Sequence, residues 1–449
     1  MSEHGDSIAA IATPRGSGGV GIIRVSGADI SALLENLKLA TPVPRTASLR
    51  KIHDANGRLI DEVLVLYFPA PASFTGEDVL ELQGHGGLVI MDMLLERVLT
   101  CGCRQARPGE FSERAFLNDK LDLVQAEAIA DVIESHSRTA VRGAMRSLQG
   151  DFSRRVHSIS DDLIHLRTHV EAYLDFPDEE IDTLPSEEFS TQCQSLERAI
   201  SELLATARQG QMLRDGLHLV LAGKPNAGKS SLLNRLTAAD TAIVSDVPGT
   251  TRDVIRERVH IDGIPIDVTD TAGLRDTADA IESEGVARAR QELSRADRVL
   301  LVVDDADFSS DLLADLDDYL HAEVPVTVVR NKIDLTGRNS QIENIDGVDI
   351  VSMSTRTGDG LRLLTEHLKQ VTGLATVPEG VFTARQRHLD ALRRALVFVQ
   401  QGRNLLDPPR PELLAEELRQ AQTVLGEITG EFTSEDLLGE IFGSFCIGK

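Results

Sequence analysis

Eight residues, Gly223-Lys224-Pro225-Asn226-Ala227-Gly228-Lys229-Ser230, carry a glycine, four intervening positions, and then glycine, lysine and serine. Each type has a physical task. The glycines let backbone N–H groups curl round a phosphate, the Lys229 ammonium neutralises its oxygens, and the Ser230 hydroxyl can ligate Mg²⁺. The context is the required one: residues 217–222 form an apolar run that reads as a strand, and Leu232 and Leu233 open a helix. The N-terminus of that helix adds about half a positive charge.

A phosphate loop alone can arise by chance, but partners in the right order rarely follow it. Here Val268-Thr269-Asp270-Thr271-Ala272-Gly273 sets the Asp270 carboxylate at a strand end, where it can hold the metal through water. Gly273 can then approach a γ-phosphate. Farther on, a strand over residues 326–329 runs into Asn331-Lys332-Ile333-Asp334. The Asp334 carboxylate can accept hydrogen bonds from guanine N1 and its exocyclic amine, a pair that adenine does not offer, so the chemistry indicated is cleavage of GTP. Ser354-Thr355-Arg356, after a strand around Ile350, would close over the base.

Cleavage needs an oriented water. Many GTPases use a Gln directly after this metal-binding motif, but Leu274 stands there and cannot hydrogen-bond water. Asp276, Asp279, Glu282 and Glu284 follow, and spacing does not choose among them. Positive charge for the transition state could come from Arg252 or Arg275, or from a monovalent cation beside Asn226.

The elements that position these residues fall into three blocks. Residues 1–120 are short and mixed, with strands expected at 22–25 and 63–68 and a turn at Asn56-Gly57, giving a small α+β domain. Residues 121–215 and 378–449 show helical spacing (Ala126, Ile129, Ile133; Leu163, Leu166, Val170; Leu389, Leu392, Leu396; Leu414, Leu418, Leu425) and read as one discontinuous helical domain. Residues 216–377 alternate strand and helix, the pattern of a doubly wound α/β domain inserted between the helical halves. The acidic stretch 175–185, with two prolines, reads as a loop. Gly16-Ser17-Gly18-Gly19-Val20-Gly21 fits a dinucleotide fingerprint, but the β-branched residues 22–25 follow it, so we read a loop before a strand.

At 449 residues the chain is too long for one core, and its 41% hydrophobic and 26% charged residues are those of a globular protein. No secretory signal and no run of roughly 20 apolar residues is present, which predicts a cytoplasmic protein off the membrane. Cys101, Cys103, Cys193 and Cys446 are too scattered for a disulfide framework. A net charge of -25 excludes coating nucleic acid by charge alone, so any RNA contact must be local. Arg138, Arg142 and Arg146 share one helix face. Such a face is ordinarily only solvated, yet in this chain it is the best sequence candidate for touching RNA or a partner.

Beyond the generic GTPase motifs, several stretches are distinctive: residues 74–78 (FTGED), 84–87 (GHGG), 107–118 (RPGEFSERAFLN), 249–253 (GTTRD) and the terminal 445–449 (FCIGK). With these the chain resembles, over essentially its whole length, the MnmE or TrmE family of tRNA uridine modification GTPases. The resemblance implies an N-terminal α+β domain that binds folate and dimerises, a discontinuous helical domain, and an inserted P-loop GTPase domain. It implies a homodimer that assembles with a flavin- and NADH-dependent subunit as a heterotetramer. Their joint action would place an aminomethyl or carboxymethylaminomethyl group on C5 of the wobble uridine of certain tRNAs, using a 5-formyl- or methylene-tetrahydrofolate.

The resemblance also assigns residues. Glu282 matches the family's water-positioning glutamate. Asn226, with the backbone of Ser245, Val247 and Thr250, matches a potassium site that replaces an arginine finger, and Thr251 joins Ser230 on Mg²⁺. Nucleotide contacts extend to Ser231 and through Asp246, Pro248 and Gly249. Arg24, Glu81, Lys120 and Lys449 match folate contacts, and Cys446 is a possible functional thiol. Two rival readings are a ribosome-assembly GTPase, which usually carries a second GTPase domain or an RNA-binding module, and a folate-dependent transferase in which GTP is only regulatory.

Overall fold

The structure is a computed structural model that describes residues 6–135, 137–175, 186–239, 256–261, 264–270, 296–309, 324–371, 380–432, 434–445 and 447–448. By its internal contacts the chain divides into two compact units. One comprises Met1–Ala130, Ser147–Ser201 and Asp390–Lys449, the other Asp131–Arg146 and Glu202–Leu389.

In the first unit, alternating apolar residues build a six-stranded sheet. Its strands are β1 (Ile8–Ile11), β2 (Gly18–Gly27), β3 (Ser48–His53), β4 (Leu59–Phe68), β5 (Asp78–Gly86) and β6 (Arg104–Gln105), in the order β3-β4-β5-β2-β1-β6. One face carries Ile23, Val25, Val63, Val65, Leu80 and Leu82, all buried, and packs with helix α1 (Ser31–Asn36) and helix α2 (Leu88–Thr100). The sheet corrects one expectation. Gly18, Gly19 and Gly21 lie within β2, with an irregularity in pairing between Gly18 and Gly21, instead of forming a loop ahead of the strand. Glycine is needed at Gly86, where a Cβ would sit 2.7 Å from the Gly18 carbonyl oxygen, whereas a Cβ on Gly21 would meet only the flexible Met91 side chain.

Helices α3 (Glu110–Leu117), α6 (Asp151–Asp175), α12 (Pro411–Thr429) and α13 (Glu435–Gly443) complete this unit, together with parts of α4 (Leu123–Glu134), α7 (Ser186–Asp215) and α11 (Gln386–Asn404). Phe442 packs on Phe116 and Phe445, while Leu123, Ala126 and Ala130 fill the same core. The C-terminal tail then pairs Ile447 with Pro108. Gly448, at φ +98°, lies so close to β1 that a Cβ would fall 2.4 Å from the Ile11 carbonyl oxygen.

In the second unit a seven-stranded sheet runs β12-β13-β11-β10-β7-β9-β8. The strands β7 (Leu217–Ala222), β9 (Ile264–Asp270), β10 (Arg298–Asp304), β11 (Val326–Asn331) and β13 (Val348–Ser352) are parallel, and β8 (Arg256–Ile261) and β12 (Gln341–Ile345) pair antiparallel at the two edges. Central strands buried on both faces read as continuous apolar runs, as VLLVV in β10 does. The order reverses between β7 and β10, and a ligand crevice is expected beyond the carboxyl ends at such a switch point. Helices α8 (Lys229–Ala239), α9 (Ile333–Thr336) and α10 (Leu361–Val371) flank the described strands.

Two chain segments meet where this sheet is entered and left. Gly210 on α7 touches residue 382: a Cβ there would lie 1.9 Å from the Phe382 carbonyl oxygen. Beside them Asp131, at the end of α4, accepts from Arg214 Nε at 2.8 Å and from Arg385 Nη2 at 2.9 Å.

Candidate functional site

The carboxyl ends of β7, β11 and β13 open on a cleft of about 540 Å³ lined by Pro225, Asn226, Gly228, Lys229, Ser230, Ser231, Asn331, Lys332, Asp334, Leu335, Thr355 and Arg356. The structure thus brings together the phosphate loop, the guanine motif and the closing triplet from three separate loops.

The phosphate loop leaves β7 at Gly223, whose φ of +138° and approach to β10 demand glycine, since a Cβ would meet the Val302 carbonyl oxygen at 2.2 Å. Asn226 takes φ +63° and Gly228 φ +107° before α8 begins at Lys229. The first-turn N–H groups of a helix have no partners within it, so those of α8 are donors for an anion. Lys229 is buried and donates to the Gly223 carbonyl at 2.9 Å and the Lys224 carbonyl at 3.1 Å. Its ammonium is therefore already placed inside the loop. Ser230, on the first turn of α8, is exposed to the cleft and suits an oxygen-seeking cation such as Mg²⁺.

The base side is tied to the phosphate side through Asn331, which is fully buried. Its Nδ2 donates to the Ala227 carbonyl at 2.8 Å, and its Oδ1 accepts from the Thr355 N–H at 3.0 Å. Asp334 Oδ1 accepts from Ser354 Oγ at 2.6 Å, and Oδ2 stands 3.9 Å from Arg356. That carboxylate, fixed at one oxygen, can present the other to the donor edge of guanine. Lys332, at φ +68°, bonds Asp304 at the end of β10 (2.7 Å), and this hydrogen bond holds the Asp304 carboxyl below the usual carboxylate range. Arg235 on α8 donates to the carbonyls of Thr355 (2.8 Å) and Arg356 (2.6 Å), which pins the closing loop to the phosphate-binding helix. Sequence reading missed Arg235 and Asp304, because neither belongs to a motif.

Asp270 closes β9, two strands from β10. Ser245, Asp246, Val247, Pro248, Gly249, Thr250, Thr251, Thr271, Ala272, Gly273 and Glu282 lie outside the described residues, as do Cys446 and Lys449.

A second constellation sits on the N-terminal sheet. Arg24 on β2 stands opposite Glu81 on β5, with Nε 3.1 Å from its carboxylate. The guanidinium carbon lies 5.7 Å from the Phe74 ring centre and 5.9 Å from that of Phe111, and Nη1 reaches the Gly448 carbonyl at 3.5 Å. The structure therefore joins Arg24, Glu81 and the C-terminal tail. Lys120 instead donates to the Pro71 carbonyl at 3.0 Å and forms no ion pair with Glu81 among the described residues. Nearby Asp61, which is buried, takes the His85 N–H and its ring Nδ1, each at 2.8 Å. Burial opposes the Asp61 charge, but these bonds win and hold the carboxyl below its usual range.

Cys101, Cys103 and Cys193 are free and buried. Burial raises the Cys103 thiol to about 12 and the Cys193 thiol to about 11, so neither is a nucleophile at neutral pH. No group of three or more metal-ligating His, Cys, Asp or Glu occurs among the described residues. No described helix is long and apolar enough to cross a membrane.

Comparison with known proteins agrees with this arrangement. A family model described as the GTP-binding protein TrmE N-terminus matches residues 7–120, and one described as the MnmE helical domain matches residues 123–446. The tRNA modification GTPase MnmE of Chromohalobacter salexigens is 56% identical over 449 residues, spanning 99% of this chain and 98% of that protein. Among solved structures, an Aquifex aeolicus Era variant bound to GDP and aluminium fluoride is 26% identical, covers 40% of this chain and 66% of its own, and has a TM-score of 0.27. The G domain of the T. maritima FeoB iron transporter is 28% identical, covers 34% of this chain and 97% of its own, and has a TM-score of 0.26. Agreement that runs nearly end to end, through the sheet domain and the helices alike, makes this chain a member of the MnmE family of tRNA modification GTPases.

Proposed function

We propose that the chain hydrolyses GTP to drive modification of the wobble uridine of certain tRNAs at C5. It would work as a homodimer with a flavin- and NADH-dependent subunit, which adds an aminomethyl or carboxymethylaminomethyl group. The observation that carries the GTP half is Asn331, which bonds the phosphate loop at Ala227 and the base loop at Thr355 in one step. Such a link fits one ligand that has both a phosphate tail and a base.

Within this reading Ser230 holds Mg²⁺ with Thr251, and Asp270 acts through water. The cation supplies charge neutralisation at the β- and γ-phosphates. Glu282 orients the attacking water in place of the Gln that Leu274 displaces. Asn226, with the carbonyls of Ser245, Val247 and Thr250, holds K⁺ when two GTPase domains meet. Asn226 is exposed and lines the cleft, so its side-chain carbonyl is available as a ligand there. Arg24 and Glu81, with Lys120 and Lys449, form the site for a tetrahydrofolate, and Cys446 is a functional thiol beside it. A carboxylate beside a guanidinium between aromatic rings suits the donor-rich edge of a flat pterin, and the bound folate would supply the one-carbon unit. The domain limits 1–120, 121–215 with 378–449, and 216–377 belong to this same proposal.

Wobble-uridine modification in cells lacking the chain tests the whole reading, and normal modification would overturn it in favour of a ribosome-assembly role. Glu282→Ala should abolish hydrolysis while GTP still binds. Modification that persists in that variant would make GTP merely regulatory. Equal hydrolysis rates in K⁺ and Na⁺ at one ionic strength would remove potassium.

A further inference from the structure

Helix α5 (Arg138–Leu148) has two faces of opposite character. Ala140, Gly143 and Ala144 are buried, and the Gly143 carbonyl accepts from the Thr383 N–H at 3.4 Å. A Cβ on Gly143 would come 3.5 Å from the Thr383 methyl, so small residues seat α5 against the segment at residues 381–383. The opposite face carries Arg138 and Arg142, both exposed, and Arg146, which is half-buried near Gly380. The helix sequence RTAVRGAMRSL contains no acidic residue, and no carboxylate pairs with any of the three arginines among the described residues. The chain around them has a net charge of -25, and several of its exposed arginines, such as Arg154, Arg362 and Arg419, do hold acidic neighbours.

We propose that this face of α5 binds the phosphate backbone of the RNA substrate, an inference that rests on the tRNA reading above. Arginines four apart step along a helix by about 6 Å, so the three span about 12 Å, over which one nucleic-acid strand passes three or four phosphates. Ser137 caps the helix through its Oγ to the Ala140 N–H (3.1 Å), and the positive end of the helix adds to Arg138. The acidic remainder of the surface repels RNA and confines binding to this ladder. A docked protein would need an apolar centre, and Met145 is the one large apolar residue of α5 that is exposed. The contact orients the RNA and carries no base specificity.

The test uses the full chain and unmodified tRNA, with binding followed by fluorescence anisotropy across a salt series. Arg138→Gln with Arg142→Gln should weaken binding roughly tenfold and lower the slope of log affinity against log salt by about two. Arg138→Lys with Arg142→Lys should restore most of both, and GTP hydrolysis should be unchanged in either variant because neither residue lines the cleft. Unaltered affinity and slope in the Gln variant would overturn the proposal. So would loss of flavin-subunit capture with tRNA binding intact, which would assign the face to a protein. A wild-type chain that binds no tRNA at any salt would instead sink the parent reading, and this inference with it.

Discussion

Asn331 lies 2.8 Å from the Ala227 carbonyl while also accepting from the Thr355 N–H, so one buried amide holds the phosphate loop and the base loop in fixed relation. Gly228 exists for the same contact, since a Cβ there would fall 2.2 Å from Asn331 Nδ2.

Asn331→Ala should therefore loosen both loops together. Guanine nucleotide affinity should fall by about tenfold to a hundredfold, the equivalent of one or two lost buried hydrogen bonds of about 1–3 kcal/mol. Titration calorimetry with GDP checks this. Asp334→Ala should instead erase the preference for guanine over adenine while leaving the phosphate contacts in place.

The N-terminal domain should weaken in acid. Glu110 is buried; burial raises its pKa, but Arg104 at 2.6 Å, the Arg107 N–H and Arg114 outweigh that and hold the carboxyl below its usual range. A folded-state pKa below the unfolded one means the stabilisation is complete above about pH 4–5 and disappears as pH falls through the lower folded value. Unfolding followed between pH 6 and pH 2 should show this loss, and Glu110→Gln should flatten it. Glu110→Ala should cost about 1–3 kcal/mol by removing its charge-assisted hydrogen bonds, while Asp6 and Glu77 still hold the two guanidinium groups.

Asp131 joins residues 83 and 254 positions away, Arg214 and Arg385, at the point where the nucleotide domain is entered and left. Asp131→Ala should destabilise the chain by about 1–3 kcal/mol, since it removes two charge-assisted hydrogen bonds while Asp215 still holds Arg214. Thermal unfolding at neutral pH measures it, and a shift under about 1 °C would contradict the prediction.

These separations explain what the sequence could and could not reveal. The nucleotide cleft was legible because Gly223, Lys229, Asn331 and Asp334 are local motifs at strand ends, where spacing alone sets geometry. The long helices are legible through their 3.6-residue period, as α7, which runs from Ser186 to Asp215, shows. In the N-terminal domain the sequence shows only β2 and β4, and β2 begins four residues before the expected strand because its glycines look like a loop. Arg235, Asp304 and the Asp131 cluster were invisible, because their partners are distant in sequence and their residue types are common on any surface.

Gly210→Ala should fail outright. The added methyl would overlap the Phe382 carbonyl oxygen, and both are backbone-fixed, so the cost exceeds the roughly 1–3 kcal/mol typical of overpacking. Soluble yield and melting temperature report it, while Gly439→Ala, with nothing within 4 Å, serves as the silent control.

The contact between Gly210 and Phe382 makes the nucleotide-binding stretch a cassette: its two tethers leave from one spot. A loop whose ends already touch adds little closure entropy however long it grows. Trimming the cassette to a short bridge between the tethers would ask the host to close a gap no wider than a backbone contact.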